Sequence, residues 1–228
     1  MSGHGPPIVV AKVGGNALAA LGEACALGAG RRLLVVHGGG AQISALMRIR
    51  GIEPRFVAGR RVTDLPTLAC VRHALAGVSD ALCAALADRG VAAEPLRGGE
   101  VLLAERIVDL GLVGRIEAVD RDPIDEAWIA GRVPLLAPLA RDRAGRFLNV
   151  NADDVAAAVA AELRADELVF LSDVPGVLDA DGRVIPVIRA AAPPPVTGGM
   201  LPKLAACAAA LAAGVSRVRI GDGTAVVR

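Results

Sequence analysis

Two apolar runs near the start of the chain lead through glycines into helix-compatible stretches, and this repeat limits the fold more than any other feature. The first run, at 8–13, ends in a glycine pair before 17–29, and the second, at 32–36, leads to three consecutive glycines before 41–50. A strand that feeds a glycine turn and a helix N-terminus aims backbone N–H groups at an anion. Two such turns on neighbouring parallel strands would meet at one edge of a sheet. The repeat predicts an α/β fold with an anion site.

The alternation of strand-like and helix-like segments continues to the end of the chain. Strands are predicted at 133–138, 167–171 and 215–220, hairpins or extended pairs at 53–62, 101–119 and 179–187, and helices at 66–89, 153–164 and 201–213. This order is typical of an α/β sandwich with a mostly parallel central sheet. With 228 residues, the chain can form one large domain or two small lobes.

The longest predicted helix, at 66–89, has one apolar stripe. Thr63 or Asp64 can cap its N-terminus. The spacing of the stripe places six residues on one helix face: Leu68, Val71, Leu75, Val78, Leu82 and Leu86. Such a stripe packs either into the core of its own chain or against a partner helix, and the sequence leaves both open.

The composition argues against several classes of protein. Hydrophobic residues make up 54% of the chain and aromatic residues 2%, so the core must consist of Ala, Val and Leu. The net charge of +1, without a basic patch interleaved with aromatics, argues against nucleic-acid binding. We find no signal-peptide pattern, no charge-free apolar run of membrane-spanning length, and no metal-ligand spacing among the cysteines. We therefore expect a cytoplasmic protein with free thiols and no membrane contact.

Lysine is almost absent from the chain. Of 25 Lys and Arg residues, only Lys12 and Lys203 are lysines, and each lies close to a Gly-Gly pair. A lysine is a compact point charge suited to a transferring phosphoryl group, whereas arginine presents a planar fork. Two lysines could survive by chance, but their shared position beside glycine turns predicts a phosphoryl-transfer enzyme.

The glycine turns lack the partners that other glycine-rich motifs require. A His-Gly-Gly-Gly turn, here at 37–40, also forms the oxyanion hole of some esterases, which need a G-x-S-x-G nucleophile motif. The sequence contains no such motif, no G-x-x-x-x-G-K-[ST] and no true G-x-G-x-x-G. Esterase, P-loop and Rossmann functions are therefore not expected.

Asparagine is nearly as rare as lysine and occurs beside the same turns. The three asparagines are Asn16, Asn149 and Asn151. Asn151 can cap the helix at 153–164, which would give it a structural role. Asn149 precedes the cap, so capping does not explain it, and we expect its amide to point into the cleft.

Six motifs occur in order over 9–223, nearly the whole chain. They are K-x-G-G, V-V-H-G-G-G, R-V-T-D, N-V-N-A-D, S-D-V-x-G-V-L and G-G-M-x-P-K. In this order they resemble the acetylglutamate kinases of the amino acid kinase superfamily. The resemblance implies an open αβα sandwich, with an acyl amino acid and dimerisation lobe at 1–150 and a nucleotide lobe at 151–228. It also implies phosphorylation of the γ-carboxylate of N-acetyl-L-glutamate by ATP in arginine biosynthesis, with Mg²⁺ accompanying the nucleotide.

The resemblance also assigns roles to single residues. Lys12 and Lys203 would neutralise the phosphoryl oxygens, and Asp153 would hold both lysines in place. The acyl substrate would be bound by Gly39, Gly40, Arg61 and Asn149, and the nucleotide phosphates by Gly14, Gly15, Asp173 and Lys203. No residue is assigned to a metal.

The implied chemistry needs no general base. The γ-carboxylate is already ionised at pH 7, so it can attack without losing a proton. His37, the one histidine near the glycines, is therefore expected to be structural. What remains is positioning and charge neutralisation, which lysines, glycine N–H groups and Mg²⁺ can provide.

The chain departs from the resembled family at three places. Arg60 stands where the family usually has leucine, at the mouth of the acyl site. The segment 188–197 is short and proline-rich. After Gly223 the family normally adds a helix before its last strand, whereas 224–228 follow here, and we expect both differences to concern the nucleotide side. Two other functions stay open: a kinase for an aminoadipate or glutamate derivative on a carrier protein, and a degenerate, non-catalytic binding or regulatory member.

The resemblance has a consequence for assembly as well. Arginine-inhibited members carry an extra N-terminal helix that joins dimers into a hexamer. The seven residues before the first strand here, rich in glycine and proline, would not form one. The helix at 66–89 could instead pair with its copy through the apolar stripe. We expect a homodimer that is insensitive to arginine.

Overall fold

The computed structural model describes residues 5–14, 17–171, 174–196 and 198–228. Within these ranges, the helices are α1 (Ala17–Leu27), α2 (Gly40–Ile49), α3 (Leu65–Ala87), α4 (Gly98–Val101), α5 (Asp122–Ile129), α6 (Ala152–Glu162) and α7 (Met200–Ala212). The strands are β1 (Ile8–Val13), β2 (Arg32–His37), β3 (Phe56–Val57), β4 (Arg60–Arg61), β5 (Ala93–Leu96), β6 (Leu102–Arg106), β7 (Gly114–Val119), β8 (Val133–Leu136), β9 (Leu139–Arg141), β10 (Phe147–Asn149), β11 (Glu167–Leu171), β12 (Val187–Arg189), β13 (Arg217–Ile220) and β14 (Thr224–Val227).

A central sheet runs through the molecule in the order β12-β14-β13-β11-β1-β2-β8-β5. From β13 to β5, neighbouring strands are parallel, whereas β14 pairs antiparallel with β13 and parallel with β12. Helices cover both faces. The predicted αβα sandwich with a mostly parallel sheet is therefore confirmed.

The two faces of the sheet are set by the alternation along β1, because successive strand residues point to opposite sides. Val9, Ala11 and Val13 join a core cluster with α1 and α3. Val10 joins the cluster on the other face, together with α6 and α7. Lys12 continues this second set, so the strand delivers its side chain to the helices that carry the rest of the site.

A smaller sheet, in the order β10-β9-β6-β7, packs beside α6 on this second face. Its antiparallel β6–β7 pair confirms the predicted hairpin at 101–119, except that Val101 belongs to α4. β10 ends at Asn149, two residues before the cap of α6. The small sheet thus places Asn149 in the lining of a cleft that also contains Lys12 and Asp153.

The extended pair predicted at 53–62 forms the short antiparallel hairpin β3–β4. Its two turn residues, Ala58 and Gly59, have φ values of 47° and 76°, as in the two-residue turns that match the twist of a hairpin. The hairpin carries Phe56, Arg60 and Arg61 to the wall of the cleft.

The apolar stripe of α3 is part of the chain's own core. The six stripe residues from Leu68 to Leu86 are 0% to 9% exposed. The prediction that this stripe pairs with a second copy is therefore wrong, and the opposite face of α3 is the exposed one. At the helix start, Asp64 is the cap, because its side chain accepts a hydrogen bond from the Thr67 N–H.

Among the described residues, α3 is also the one helix that is long and apolar enough to cross a membrane. Length and composition alone make this weak evidence, since core helices of compact proteins have the same properties. The burial of one face of α3 in the core accounts for its apolar composition.

Several elements of the fold were not predicted. β5 contains Pro95, which a strand tolerates at the end of a sheet. α5 has Pro123 near its start and Asp122 and Asp125 in its first turn, which are helix-start signals that the prediction overlooked. β9, β10 and β12 have three residues each, too few for a recognisable period.

We predict opposite effects of two glycine-to-alanine changes on stability. A Cβ at Gly98 would lie against the Leu139 carbonyl oxygen and 2.6 Å from the Ala137 carbonyl oxygen. Because backbone atoms cannot rotate away, Gly98→Ala should lower the free energy of unfolding by about 3 kcal/mol. Gly22 lies inside α1, and a Cβ there would have no atom within 4 Å, so Gly22→Ala should raise it by about 0.5–1 kcal/mol. Urea unfolding of both variants tests this, and equal effects would contradict it.

Candidate active site

The ends of three elements meet at one edge of the central sheet. Lys12 lies near the end of β1, Asp153 in the first turn of α6 and Lys203 in the first turn of α7. Lys12 and Asp153 line a cleft of about 370 Å³, together with the glycine turn after β2. Lys203 reaches Asp153 from the α7 side.

A single carboxylate oxygen links the two lysines. Asp153 Oδ1 lies 2.9 Å from Lys12 Nζ and 3.1 Å from Lys203 Nζ. The three residues are only 7% to 9% exposed. Two ammonium groups and one carboxylate leave one excess positive charge in a place where water screens it weakly. An anion in the cleft would therefore be strongly attracted.

The pKa values of the three groups reflect this arrangement. Burial alone would raise the pKa of Asp153, but the charges and hydrogen bonds of Lys12 and Lys203 hold it below its ordinary value. For Lys203, burial and the nearby Lys12 charge lower the pKa against the opposing effect of Asp153. The carboxylate thus stays ionised at neutral pH and keeps two like charges together.

An aromatic ring contacts one ammonium group, and a glycine leaves room for the other. The Phe170 ring centroid lies 5.0 Å from Lys203 Nζ, within the range of a cation–π interaction. A Cβ at Gly14 would lie 2.7 Å from Lys12 Nζ, so any side chain there would displace the lysine. The first glycine of the K-x-G-G motif is thus explained by space for Lys12.

The predicted phosphate-binding glycines differ in whether their backbone N–H groups already have a hydrogen-bond partner. The Gly14 N–H already donates to the Leu171 carbonyl at 3.3 Å. Gly39 and Gly40 stand at the start of α2, where no side chain caps the first turn and N–H groups lack helical partners. A Cβ at Gly40 would meet no atom within 4 Å, and Gly40 lines the cleft. Gly15 and Asp173 lie outside the described residues.

Arg61 is held on one side of the cleft by several contacts. Its guanidinium donates to the Gly40 carbonyl at 3.1 Å and to Ser44 Oγ at 2.9 Å. Met47 Sδ lies 3.1 Å from Nη1, and the Phe56 ring centroid lies 4.7 Å from the guanidinium carbon. Although burial and the neighbouring Arg48 charge lower its pKa, an arginine stays charged at neutral pH. Arg61 thus offers a fixed positive charge beside the glycine turn.

The amide of Asn149 is oriented by Thr63. The Thr63 hydroxyl donates to the Arg61 carbonyl at 2.8 Å, so its oxygen must accept from Asn149 Nδ2, 3.0 Å away. The group of Asn149 left for the cleft is therefore its carbonyl oxygen. That oxygen can accept a hydrogen bond from an N–H group of a ligand.

His37 is a structural residue, as predicted. It is fully buried, and Nδ1 lies 2.8 Å from the Gly38 carbonyl, which can only accept a hydrogen bond. Nδ1 therefore carries the proton, and Nε2 accepts from the Ser79 hydroxyl at 2.8 Å. Burial lowers the pKa of His37, which keeps the ring neutral and shapes the turn.

The sequence did not identify the residues that orient the predicted ones. Ser44 and Thr63 fix Arg61 and Asn149, and Asp154 forms an ion pair with Arg60. Thr63 belongs to the R-V-T-D motif, so a signal for it was present. Ser44 and Asp154 stand in ordinary helical sequence, and only the tertiary contacts reveal them.

The sequence and the fold are similar to those of known proteins. Residues 7–222 match the amino acid kinase family. An acetylglutamate kinase of Koribacter versatilis is 42% identical over 236 residues, which cover 95% of this chain and 90% of the relative. One from Acidobacterium capsulatum is 43% identical over 205 residues, covering 84% of this chain and 78% of the relative.

Among solved structures, smu.665 from Streptococcus mutans UA159 has the same fold. It superposes with a TM-score of 0.87 at 32% identity and covers 96% of this chain and 98% of its own. The family resemblance predicted from the ordered motifs is therefore confirmed. The roles of the single site residues stay predictions.

The shared carboxylate predicts an asymmetry in stability. Asp153→Asn would leave two buried ammonium groups without a counter-charge, at a cost of about 3–5 kcal/mol in the free energy of unfolding. Lys203→Met would leave Asp153 paired with Lys12 and remove a charge that burial disfavours, so its effect should stay within about 1 kcal/mol. Urea unfolding at pH 7 measures both values. A similar loss in the two variants would mean that the carboxylate does not hold the lysines together.

Proposed function

The chain belongs to the amino acid kinase family, and we propose that it phosphorylates the γ-carboxylate of N-acetyl-L-glutamate with ATP, a step of arginine biosynthesis. Relatives named acetylglutamate kinase align over most of the chain at 38% to 43% identity. The observation within the molecule that supports the proposal is the buried pair of lysines on one carboxylate beside an open glycine turn.

Lys12 and Lys203 have the proposed role of neutralising the phosphoryl group during transfer. Charge that develops on the phosphoryl oxygens is stabilised best by cations already held in place. Asp153 supplies that fixation, since it contacts both Nζ atoms. We assign Asp153 as the residue that sets the distance between the two charges.

The acyl substrate is assigned to the side of the cleft lined by Arg61 and Asn149. Arg61 would bind the free α-carboxylate through a charge-assisted contact. The carbonyl oxygen of Asn149 would accept the N–H of the acetyl amide. The backbone N–H groups of Gly39 and Gly40 would approach oxygens of the γ-carboxylate or phosphoryl group. An N-acyl amino acid has each of these three features.

The reaction needs no proton acceptor in the site. The γ-carboxylate of the substrate is ionised at neutral pH, and the buried His37 is occupied by Gly38 and Ser79. Positioning and charge neutralisation are therefore the contributions that the chain makes.

The nucleotide is assigned to the side of α7, with Lys203, Gly15 and Asp173 proposed to bind its phosphates. The Gly14 N–H already donates to the Leu171 carbonyl, so the proposed contribution of Gly14 is the space it leaves for Lys12. Mg²⁺ is proposed to arrive with ATP. The described residues contain no group of three His, Cys, Asp or Glu side chains placed for a metal, and Asp153 is occupied by the lysines. We assign no side chain among the residues that the structure describes as a ligand of the ion.

The division into lobes follows from these assignments. We propose an acyl amino acid lobe at 1–150 and a nucleotide lobe at 151–228, with Gly15 of the first lobe reaching the nucleotide phosphates. The boundary is not a break in the fold, because β1 and β11 run side by side in one sheet. The four free cysteines fit a reducing compartment, so we assign the protein to the cytoplasm.

An acyl-phosphate assay tests the proposed activity. The protein is incubated with ATP, Mg²⁺ and N-acetyl-L-glutamate, and the product is trapped with hydroxylamine. We expect hydroxamate with N-acetyl-L-glutamate, and far less with glutamate or N-acetyl-aminoadipate. Dependence on an added carrier protein would favour a carrier-bound substrate, and no product with any acceptor would favour a non-catalytic member.

Lys203→Arg is the matched variant for this assay. It keeps the charge but replaces a compact ammonium with a planar guanidinium. We expect kcat to fall by roughly 100-fold, the usual cost of losing one preorganised electrostatic contact. Ala209→Arg, on the exposed side of the same helix, controls for an added guanidinium and should keep full activity.

We also propose a homodimer, formed by a different face of α3 from the one first predicted. A groove of about 480 Å³ lies between α1, α2 and the exposed side of α3. Leu18 and Ile49 at the groove are 48% and 82% exposed. Ala81 and Gly77 on α3 are small and exposed, so a second copy of this helix could approach closely in a symmetric interface.

Charge placed at this groove should separate the dimer. Ile49→Glu would bury a carboxylate in the interface, so we expect a monomer in light scattering. Ile129→Glu makes the same change at an 84% exposed residue on α5, away from the groove, and should remain dimeric. A monomeric wild-type chain, or equal behaviour of the two variants, would rule out this interface.

A further inference from the structure

The β3–β4 hairpin contacts the helices that carry the charged site. A Cβ at Gly59, at the hairpin tip, would lie 3.1 Å from Pro202 Cγ, the neighbour of Lys203 on α7. Arg60 Nη2 lies 2.6 Å from Oδ2 of Asp154, the neighbour of Asp153 on α6. The hairpin therefore places one more cation at the wall of the cleft, on the opposite face from Arg61.

The pairing of Arg60 with Asp154 is partly buried. Each side chain is 25% exposed. Burial raises the pKa of Asp154, and the charge and hydrogen bond of Arg60 oppose that rise. Asp154 therefore pairs with Nη2 of the guanidinium and anchors Arg60 to the first turn of α6.

The second terminal nitrogen of the Arg60 guanidinium, Nη1, has no partner among the described residues. This nitrogen is also closed off from solvent. A buried N–H donor without a partner is costly, and native structures rarely keep one without a reason. Arg60 lines the same cleft as Lys12 and Asp153, where the expected ligands carry oxyanions.

We propose that Arg60 is a ligand-binding residue of this site, whose Nη1 donates a hydrogen bond to an oxyanion of the bound substrates. The inference rests on the proposed function. The oxyanion is either a carboxylate of the acyl amino acid or a phosphate oxygen of the nucleotide. A guanidinium forms strong hydrogen bonds with both carboxylates and phosphates. Asp154 holds the guanidinium through Nη2, and Nη1, which is closed off from solvent, would reach the oxyanion by a shift of the side chain on binding.

A simpler role for Arg60 is to act only as the counter-ion of Asp154. The two roles differ in what happens when both charges are removed. Arg60→Leu alone leaves Asp154 buried without a cation, which would disturb α6 under either role. In Arg60→Leu/Asp154→Asn, no unpaired charge remains, and any loss of binding reports the missing donor.

Calorimetric titration of the full chain with N-acetyl-L-glutamate, and separately with a non-hydrolysable ATP analogue plus Mg²⁺, makes the test. We expect Arg60→Leu/Asp154→Asn to bind one of the two roughly 10- to 100-fold more weakly than wild type, the range for a charge-assisted hydrogen bond. The ligand affected identifies the oxyanion. Arg55→Leu, the same change at an exposed residue before the hairpin, should bind both like wild type.

The outcomes separate this inference from the proposed function. If the wild-type chain binds both ligands and the double variant binds them equally well, Arg60 is only a counter-ion and the inference is overturned. If the wild-type chain binds neither ligand, the proposed function fails and the inference fails with it. A thermal unfolding curve of each variant checks that the fold is intact.

Discussion

The arrangement of the site depends on one buried carboxylate shared by two ammonium groups. Asp153 draws together the end of β1, the start of α6 and the start of α7, which are far apart in sequence. Without it, two positive charges would be buried side by side with no counter-charge. Successive side chains of β1 point to opposite faces of the sheet, and Lys12 points to the face that α6 and α7 cover. The sheet therefore determines where the charged site can form.

Much of this could be predicted from sequence, because the signals are local. β1, β2 and β11 are apolar runs bounded by turns, and the rarity of lysine in an arginine-rich chain singled out Lys12 and Lys203. Buried parallel strands leave such runs by necessity. The same reasoning could not decide which partner the α3 stripe packs against, since periodicity shows that a face is buried but not what covers it.

The parts that sequence reasoning missed are those that exist only through tertiary contact. Asn149 was identified, but its orientation follows from the proton of Thr63 donating to the Arg61 carbonyl. Ser44 supports Arg61 from within an ordinary amphipathic helix. Asp154 looks like one more acidic residue in the first turn of α6 until Arg60 meets it. Positioning residues of this kind carry no motif of their own.

Pro95 has a consequence for how copies of the chain can associate. It lies in β5, the last strand at one end of the central sheet, and proline has no N–H to donate to a further strand. A long run of unpaired backbone groups there would invite strand-to-strand stacking between molecules, the first step of aggregation. The proline leaves β5 with fewer N–H groups than an uninterrupted strand of its length, which makes this edge a poorer template for a strand of another copy.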